Sequence, residues 1–299
     1  MIDHLLAIDP GHRGIERFFV RGGATRAASA LLRAKRVLLT TGFTVGDGQP
    51  ETDGPPGTAS LGRALRMLDK TVGYVTDEPT VVVLSATLRA LGESASIATF
   101  PGAGDPERAA RRVLADHAPT HLVSIERPGR TADGDYLNAR GHSVRSWNAP
   151  IDALFVGAPR RITTVGIGDG GNEIGMGNVR ARIVRAGALA RRIASVVKVN
   201  HLVVAGTSNW GAYGVVAELA RLTGRSLLHS ADEERKMIQA CVDVGAVDGL
   251  TRRPEPTVDG LPLQAHVGML ELLRLFAVPA RGAKPVRKRT AEGSKERTR

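Results

Sequence analysis

Six short runs rich in β-branched residues, at 36–41, 72–76, 95–100, 121–126, 162–167 and 201–205, alternate with longer amphipathic stretches, and a weaker run follows at 226–229. Helical spacing of apolar residues marks 24–34, 58–69, 80–91, 106–117, 178–195, 212–222, 232–244 and 266–276. A strand followed by a helix and then another strand forms a parallel pair, because a two-residue hairpin cannot return the chain in the same direction. The strand runs are apolar at nearly every position, as a sheet buried on both faces requires. The expected fold is therefore α/β: a three-layer, mostly parallel, doubly wound (Rossmann-like) sheet with helices on both faces. No linker rich in Pro, Gly or Ser divides the chain. The expectation is one domain over 1–280 and a basic, disordered tail over 281–299.

Charge supports that division. The net charge is +11, but without the eight Lys/Arg and two Glu of 281–299 it falls to +5. Nucleic acid is not an expected partner, since only the tail supports it and aromatics make up 4% of the chain, too few for a base-stacking platform. The single cysteine, Cys241, excludes an intrachain disulfide and a thiolate metal cluster. It lies in an amphipathic run and reads as a core thiol. No run approaches the roughly 18–20 apolar residues of a membrane span, and the first residues do not read as a signal peptide. The expected location is cytoplasmic, with no membrane partner. Homo-oligomer formation is left open.

Ligands of such sheets bind beyond the carboxyl ends of the strands. That end collects the polar, glycine-rich loops: 41–57 after the first run, 126–135 after the fourth, 166–173 after the fifth and 206–211 after the sixth. One of them is the glycine-rich acidic turn Gly166-Ile-Gly-Asp-Gly-Gly-Asn-Glu173. It matches the G-x-G-x-x-G dinucleotide fingerprint. However, no Asp or Glu occurs from Ile174 through Ala217, where a ribose ligand is expected. Asp169 and Glu173 would also repel a pyrophosphate, so NAD is not expected. Carboxylates in a glycine turn suit a hard cation such as Mg²⁺ or Mn²⁺, or proton transfer if mutual repulsion raises a pKa. The plain alternative makes Asn172 and Glu173 a helix cap. The glycines suggest instead that a backbone approaches a ligand closely.

The 126–140 segment mixes Glu126, Asp133 and Asp135 with Arg127, Arg130 and Arg140, residues suited to metal, ammonium or carboxylate, though a charged surface loop has the same composition. The 51–57 segment holds Asp53 beside a rigid Pro-Pro. The 206–211 segment carries the donors Ser208 and Asn209. Scattered histidines offer no H-x-x-x-H pair, so zinc is not expected, and neither a Walker A loop nor a G-x-S-x-G elbow is present.

Taken together, these blocks resemble the D-glutamate cyclase family, in its C-terminal domain, long a domain of unknown function. The resemblance rests on Thr41-Gly-Phe43, Glu51-Thr-Asp-Gly-Pro-Pro-Gly57, Ser124-Ile-Glu-Arg127, Gly129-Arg-x-Ala-Asp-Gly-x-Tyr136 and Pro150-Ile-Asp152. It continues through Gly168-Asp-Gly-Gly-Asn-Glu-Ile-Gly-Met-Gly177, Ala205-Gly-x-Ser-Asn-Trp-Gly211, Gly245-Ala-Val-Asp-Gly249 and Thr257-Val-Asp-Gly-Leu-Pro262. It implies a carbon-oxygen lyase that interconverts D-glutamate and 5-oxo-D-proline with loss of water, acting on a small amino-acid substrate. On that basis Glu126, Asp169 and Glu173, assisted by Asp133 or Asp135, are expected to hold a divalent cation (Mg²⁺ or Mn²⁺). The catalytic set is Asp169, Glu173, Glu126 and Asp133. Arg127 or Arg130 is expected to clamp the α-carboxylate, Ser208 and Asn209 to serve the oxyanion, and Asn172 and Asp53 to line the substrate site. The alternatives are another divalent-metal-dependent enzyme of a small carboxylate or phosphate metabolite, or a non-catalytic metal- or metabolite-binding protein.

Overall fold

The computed structural model describes residues 1–277; the expected tail at 281–299 lies outside them. The strands are β1 Arg36–Thr41, β2 Thr71–Thr76, β3 Ile97–Thr99, β4 His121–Ile125, β5 Thr163–Gly168 and β6 His201–Val204, with a small hairpin of β7 Thr257–Val258 and β8 Leu261–Pro262. The helices are α1 Ile2–Leu6, α2 Gly23–Leu32, α3 Pro55–Met67, α4 Glu78–Ala90, α5 Pro106–His117, α6 Ala153–Val156, α7 Arg180–Ile183, α8 Ala188–Ile193, α9 Ser208–Thr223, α10 Ala231–Asp243 and α11 Leu263–Ala277.

The first six strands form one parallel sheet in the order β3-β2-β1-β4-β5-β6. Side chains alternate between its faces. Val37, Leu39, Val123, Ile125, Val165 and Ile167 enter the larger core, against α2, α3, α9 and α11. Leu38, Val75 and Leu122 enter a second core, with Ala110 of α5 and Leu154 of α6. Helices thus cover both faces, and the doubly wound α/β expectation holds. Chain direction across the sheet reverses between β1 and β4, which makes their carboxyl ends the topological switch point. There Gly42 N donates to Glu126 O at 3.0 Å.

Local signals account for several boundaries. Asp105 caps α5 through Glu107 N and Arg108 N, with Pro106 in the first turn. Ser230 and Glu233 close a capping box on α10. Cys241 is buried, with Sγ 3.3 Å from Thr87 Oγ1. Two expectations differ from the structure. The 226–229 run makes no strand; its Leu227 is buried in the larger core instead. The 178–195 stretch is broken into α7, a 3-10 turn and α8, because Gly187 takes a φ of 136° that interrupts helical geometry.

Candidate functional site

Six buried carboxylates converge at the switch point: Glu51, Asp53, Glu126, Asp169, Glu173 and Asp259. Five of them form two trios, Asp53–Asp169–Asp259 and Glu126–Asp169–Glu173, each with ligand atoms within 4.8 Å of one another, and Glu51 stands outside both. Asp169 belongs to both. Glu51, Glu126, Asp169 and Asp259 line a cleft of about 520 Å³, counting the open solvent at its mouth. Asp53 and Glu173 stand behind this wall.

Each acid has a local reason for its place. Glu126 follows β4 directly and takes a left-handed φ of 44°, unusual for a side chain with a Cβ. That conformation lets its N–H donate to Ile167 O while its carbonyl accepts from Gly42 N. Gly54, at φ 98°, leaves the room Glu126 needs; a Cβ there would lie 2.8 Å from Glu126 Cβ and 2.5 Å from Thr41 Oγ1. Glu51 is fixed by a bridge to Val247. Asp53 caps the positive end of α9, accepting from Ser208 N and Asn209 N at 2.8 Å each.

The 166–173 turn folds back on itself. Ile174 N donates to Arg127 O and Gly129 N to Asn172 O, which zips this turn against the segment after β4. Glu173 Oε1 accepts from Asp169 N (2.9 Å) and Gly170 N (2.5 Å), and Oε2 accepts from Gly171 N (2.7 Å). The glycines serve this curl. A Cβ at Gly168 would meet the Glu173 side chain, and one at Gly166 would meet Ile174 O at 2.6 Å. The close approach read from these glycines is therefore made by the chain's own backbone and by Glu173.

One guanidinium enters the acid floor. Arg13 pairs with both oxygens of Asp169 (3.0 and 3.1 Å) and lies 2.7 Å from Asp259 Oδ2. Asp9 presents it, accepting from Arg13 N, Gly14 N and Ile15 N. Burial opposes its charge, but Asp169 and Asp259 outweigh burial and keep it protonated. The acids respond in the other direction. Burial first, then like charge, pushes Glu51 and Glu126 well above the ordinary carboxylate range. Burial also raises Asp169, a rise that the opposing pull of Arg13 does not cancel. Asp53 is pushed up to about 8 by burial and then Asp259, despite the helix N–H groups that favour its anion.

The other expected residues divide between the cleft and its surroundings. Ser208 Oγ donates to Glu126 Oε2 at 2.5 Å. Asn209 Oδ1 accepts from Gly54 N and Gly57 N, so its amide holds the loop that carries Asp53. Asn172 lines the cleft and donates to Leu137 O. Arg127 is fully buried, paired with Asp77 at 2.5 Å and donating to Gly42 O and Ala149 O. Arg130 is engaged by Asp152, which also accepts from Tyr136 OH. Asp133 is exposed, and Asp135 accepts from Tyr136 N and Ser143 Oγ; neither joins the two trios.

Arg13, Glu51 and Asp259 join the site without having been expected there. Glu51 opens the segment that holds Asp53, and Asp259 stands in the 257–262 block, so both had a weak signal. Arg13, in an unremarkable N-terminal loop, had none.

The chemistry of this set fits a divalent cation. Six carboxylates face one guanidinium, and Glu51 Oε1 is buried without a hydrogen-bond partner. Hard oxygen ligands of this kind suit Mg²⁺ or Mn²⁺.

Residues 2–274 match the family model described as D-glutamate cyclase-like, C-terminal. The chain is 33% identical over 312 residues to D-glutamate cyclase, mitochondrial, of Homo sapiens, an alignment covering 91% of this chain and 50% of that protein. It thus spans about half the length of that relative. Two solved structures share lower likeness: exonuclease RecJ bound to manganese (TM-score 0.41, 14% identity, 85% of this chain and 50% of that chain) and an exopolyphosphatase-related protein from Bacteroides fragilis (TM-score 0.39, 8% identity, 87% and 58%). At these scores neither bears on the site.

Proposed function

The chain belongs to the D-glutamate cyclase-like family, and from that premise we propose that the acidic cleft interconverts D-glutamate and 5-oxo-D-proline with loss of water, assisted by a divalent cation. The observation that carries this reading is the pair of carboxylate trios sharing Asp169 on one cleft wall.

Cyclisation joins the α-nitrogen to the γ-carboxyl carbon and breaks one carbon–oxygen bond. Two of the three ammonium protons must travel to the departing oxygen, and the third stays on the lactam nitrogen. Glu126 is placed for the transfer. It lines the cleft, burial and neighbouring carboxylates raise its pKa and so favour its holding a proton, and Ser208 Oγ–H fixes its Oε2. Asp169 and Asp259 would hold the cation from the cleft wall, together with Asp53 behind them. When bound, that cation supplies Lewis-acid polarisation of the reacting carboxylate. Glu173, already accepting three backbone N–H bonds, keeps Asp169 oriented. The buried floor excludes bulk water, which strengthens each of these interactions.

The test is incubation of metal-stripped protein with D-glutamate, L-glutamate and each 5-oxoproline enantiomer, with and without Mg²⁺ or Mn²⁺, followed by chiral product analysis. Cation-dependent conversion confined to the D series is expected. No conversion in either direction with either cation would overturn the reading.

A further inference from the structure

We propose that Arg140 and Arg252, at the mouth of the cleft, form a recognition pair for the carboxylate that does not react, and so restrict the site to ligands bearing that second acid group. The assignment deepens the cyclase-like reading: substrate and lactam product both keep the α-carboxylate, so one fixed pair of guanidinium groups would serve both directions of the reaction.

The cleft is lined by three arginines, and they differ in their partners. Arg13 is taken up by Asp169 and Asp259. Arg140 and Arg252 have no carboxylate within ion-pair distance among the described residues. Arg140 donates from Nη2 to Leu250 O at 3.2 Å, which joins the two presenting loops. Arg252 is half-buried, and its Nε is buried without any hydrogen-bond partner. Burial and then the charge of Arg140 depress its pKa, while Glu51 and Asp47 act only from a distance. Two guanidinium groups at the mouth of one cleft repel each other, and an anion bound by both removes that repulsion while satisfying free donors.

Both arginines are held in place by built turns. Asn138 Oδ1 accepts from Arg140 N and His142 N. Asp248, fully buried, accepts from Leu250 N and Thr251 N through Oδ1 and from Gly260 N through Oδ2, while its carbonyl accepts from Arg252 N. Arg252 itself takes a left-handed φ of 62°. A strained backbone and a buried carboxylate thus go into aiming one guanidinium at the cleft, and that same Asp248 anchors the turn that carries Asp259. The resulting polarity, with cationic mouth and anionic floor, matches a zwitterionic amino acid carrying an extra acid.

The test is calorimetric binding to the full chain and to Arg140→Gln, Arg252→Gln and the double variant. The probes are 5-oxo-D-proline, its carboxylate-free analogue 2-pyrrolidone, and glutarate. Losing a charge-assisted pair weakens binding by roughly 10- to 100-fold. That loss is expected for 5-oxo-D-proline and glutarate in the variants. Arg252→Lys, which keeps the charge but not the fork, should recover part of it. 2-Pyrrolidone should bind weakly and equally to all proteins. Unchanged affinity for both acids in the double variant, at unchanged thermal stability, overturns the assignment. If the wild-type chain binds glutarate but no lactam, the cyclase reading fails, and the arginine pair is then judged on glutarate alone. Failure to bind any of the acids overturns both.

Discussion

In metal-free protein, raising the pH should loosen the fold. Asp53 stands at about 8 in the native state, against an ordinary aspartate value of 3.8. Between those values the native state holds a proton that the unfolded state has released, so stability is highest at low pH and is lost as pH rises through about 8. The lowered pKa values of His121, His201 and His266 act in the opposite sense, an effect that fades within about one unit above the ordinary histidine value of 6.5. Between pH 6.5 and 8 it offsets only part of the carboxylate loss. Each pH unit removes about 1.36 kcal/mol per proton, so Asp53 alone accounts for a loss of about 2 kcal/mol. In a chain of this size that lowers Tm by about 4 °C. Glu51, Glu126 and Asp169 shift in the same direction. The assay is a thermal melt of EDTA-treated protein across the window, repeated with Asp53→Asn and with added Mn²⁺. Asp53→Asn should flatten the slope, and Mn²⁺ should offset the fall increasingly as pH rises, because the ligands must release protons to bind. A Tm that is constant or rises from pH 6.5 to 8, or an Asp53→Asn variant with the wild-type slope, would refute the reasoning.

Asp169→Asn removes the carboxylate common to both trios; cation affinity, measured by calorimetry, should fall at least roughly tenfold, and a variant that binds Mn²⁺ like the wild type would count against the site. Gly54→Ala forces a Cβ into Thr41 and Glu126 at φ 98°, so chemical denaturation should show a loss of about 1–3 kcal/mol. Arg127→Met leaves Asp77 as an unpaired buried charge; a loss of about 3–5 kcal/mol is expected, read as an earlier unfolding midpoint, with folded protein at low temperature keeping its cation affinity.

The fold was legible because the strands of a doubly covered parallel sheet are apolar nearly throughout, and because the polar loops gathered at one end of them. The same reasoning found Glu126, Asp169 and Glu173. It was less informative about the arginines. Arg127 and Arg130 share a loop with Glu126, and composition alone cannot reveal that Asp77 and Asp152, from other elements, already hold them. Arg13 and Asp259 come together only in three dimensions, with no spacing pattern to connect them. The hairpin of β7 and β8 was missed because two-residue strands fall below any periodic signal.

The link between Arg13 and Asp259 joins segments nearly the whole described chain apart. During synthesis, the sheet from β1 to β6 can assemble while Asp259 is still inside the ribosome. Until the hairpin that carries Asp259 arrives, Arg13 has only Asp169 as an acid partner, and one of the two trios lacks a member. Completion of that trio is therefore a late event in the life of the polypeptide, coming after the sheet has formed and set by the docking of the β7–β8 hairpin.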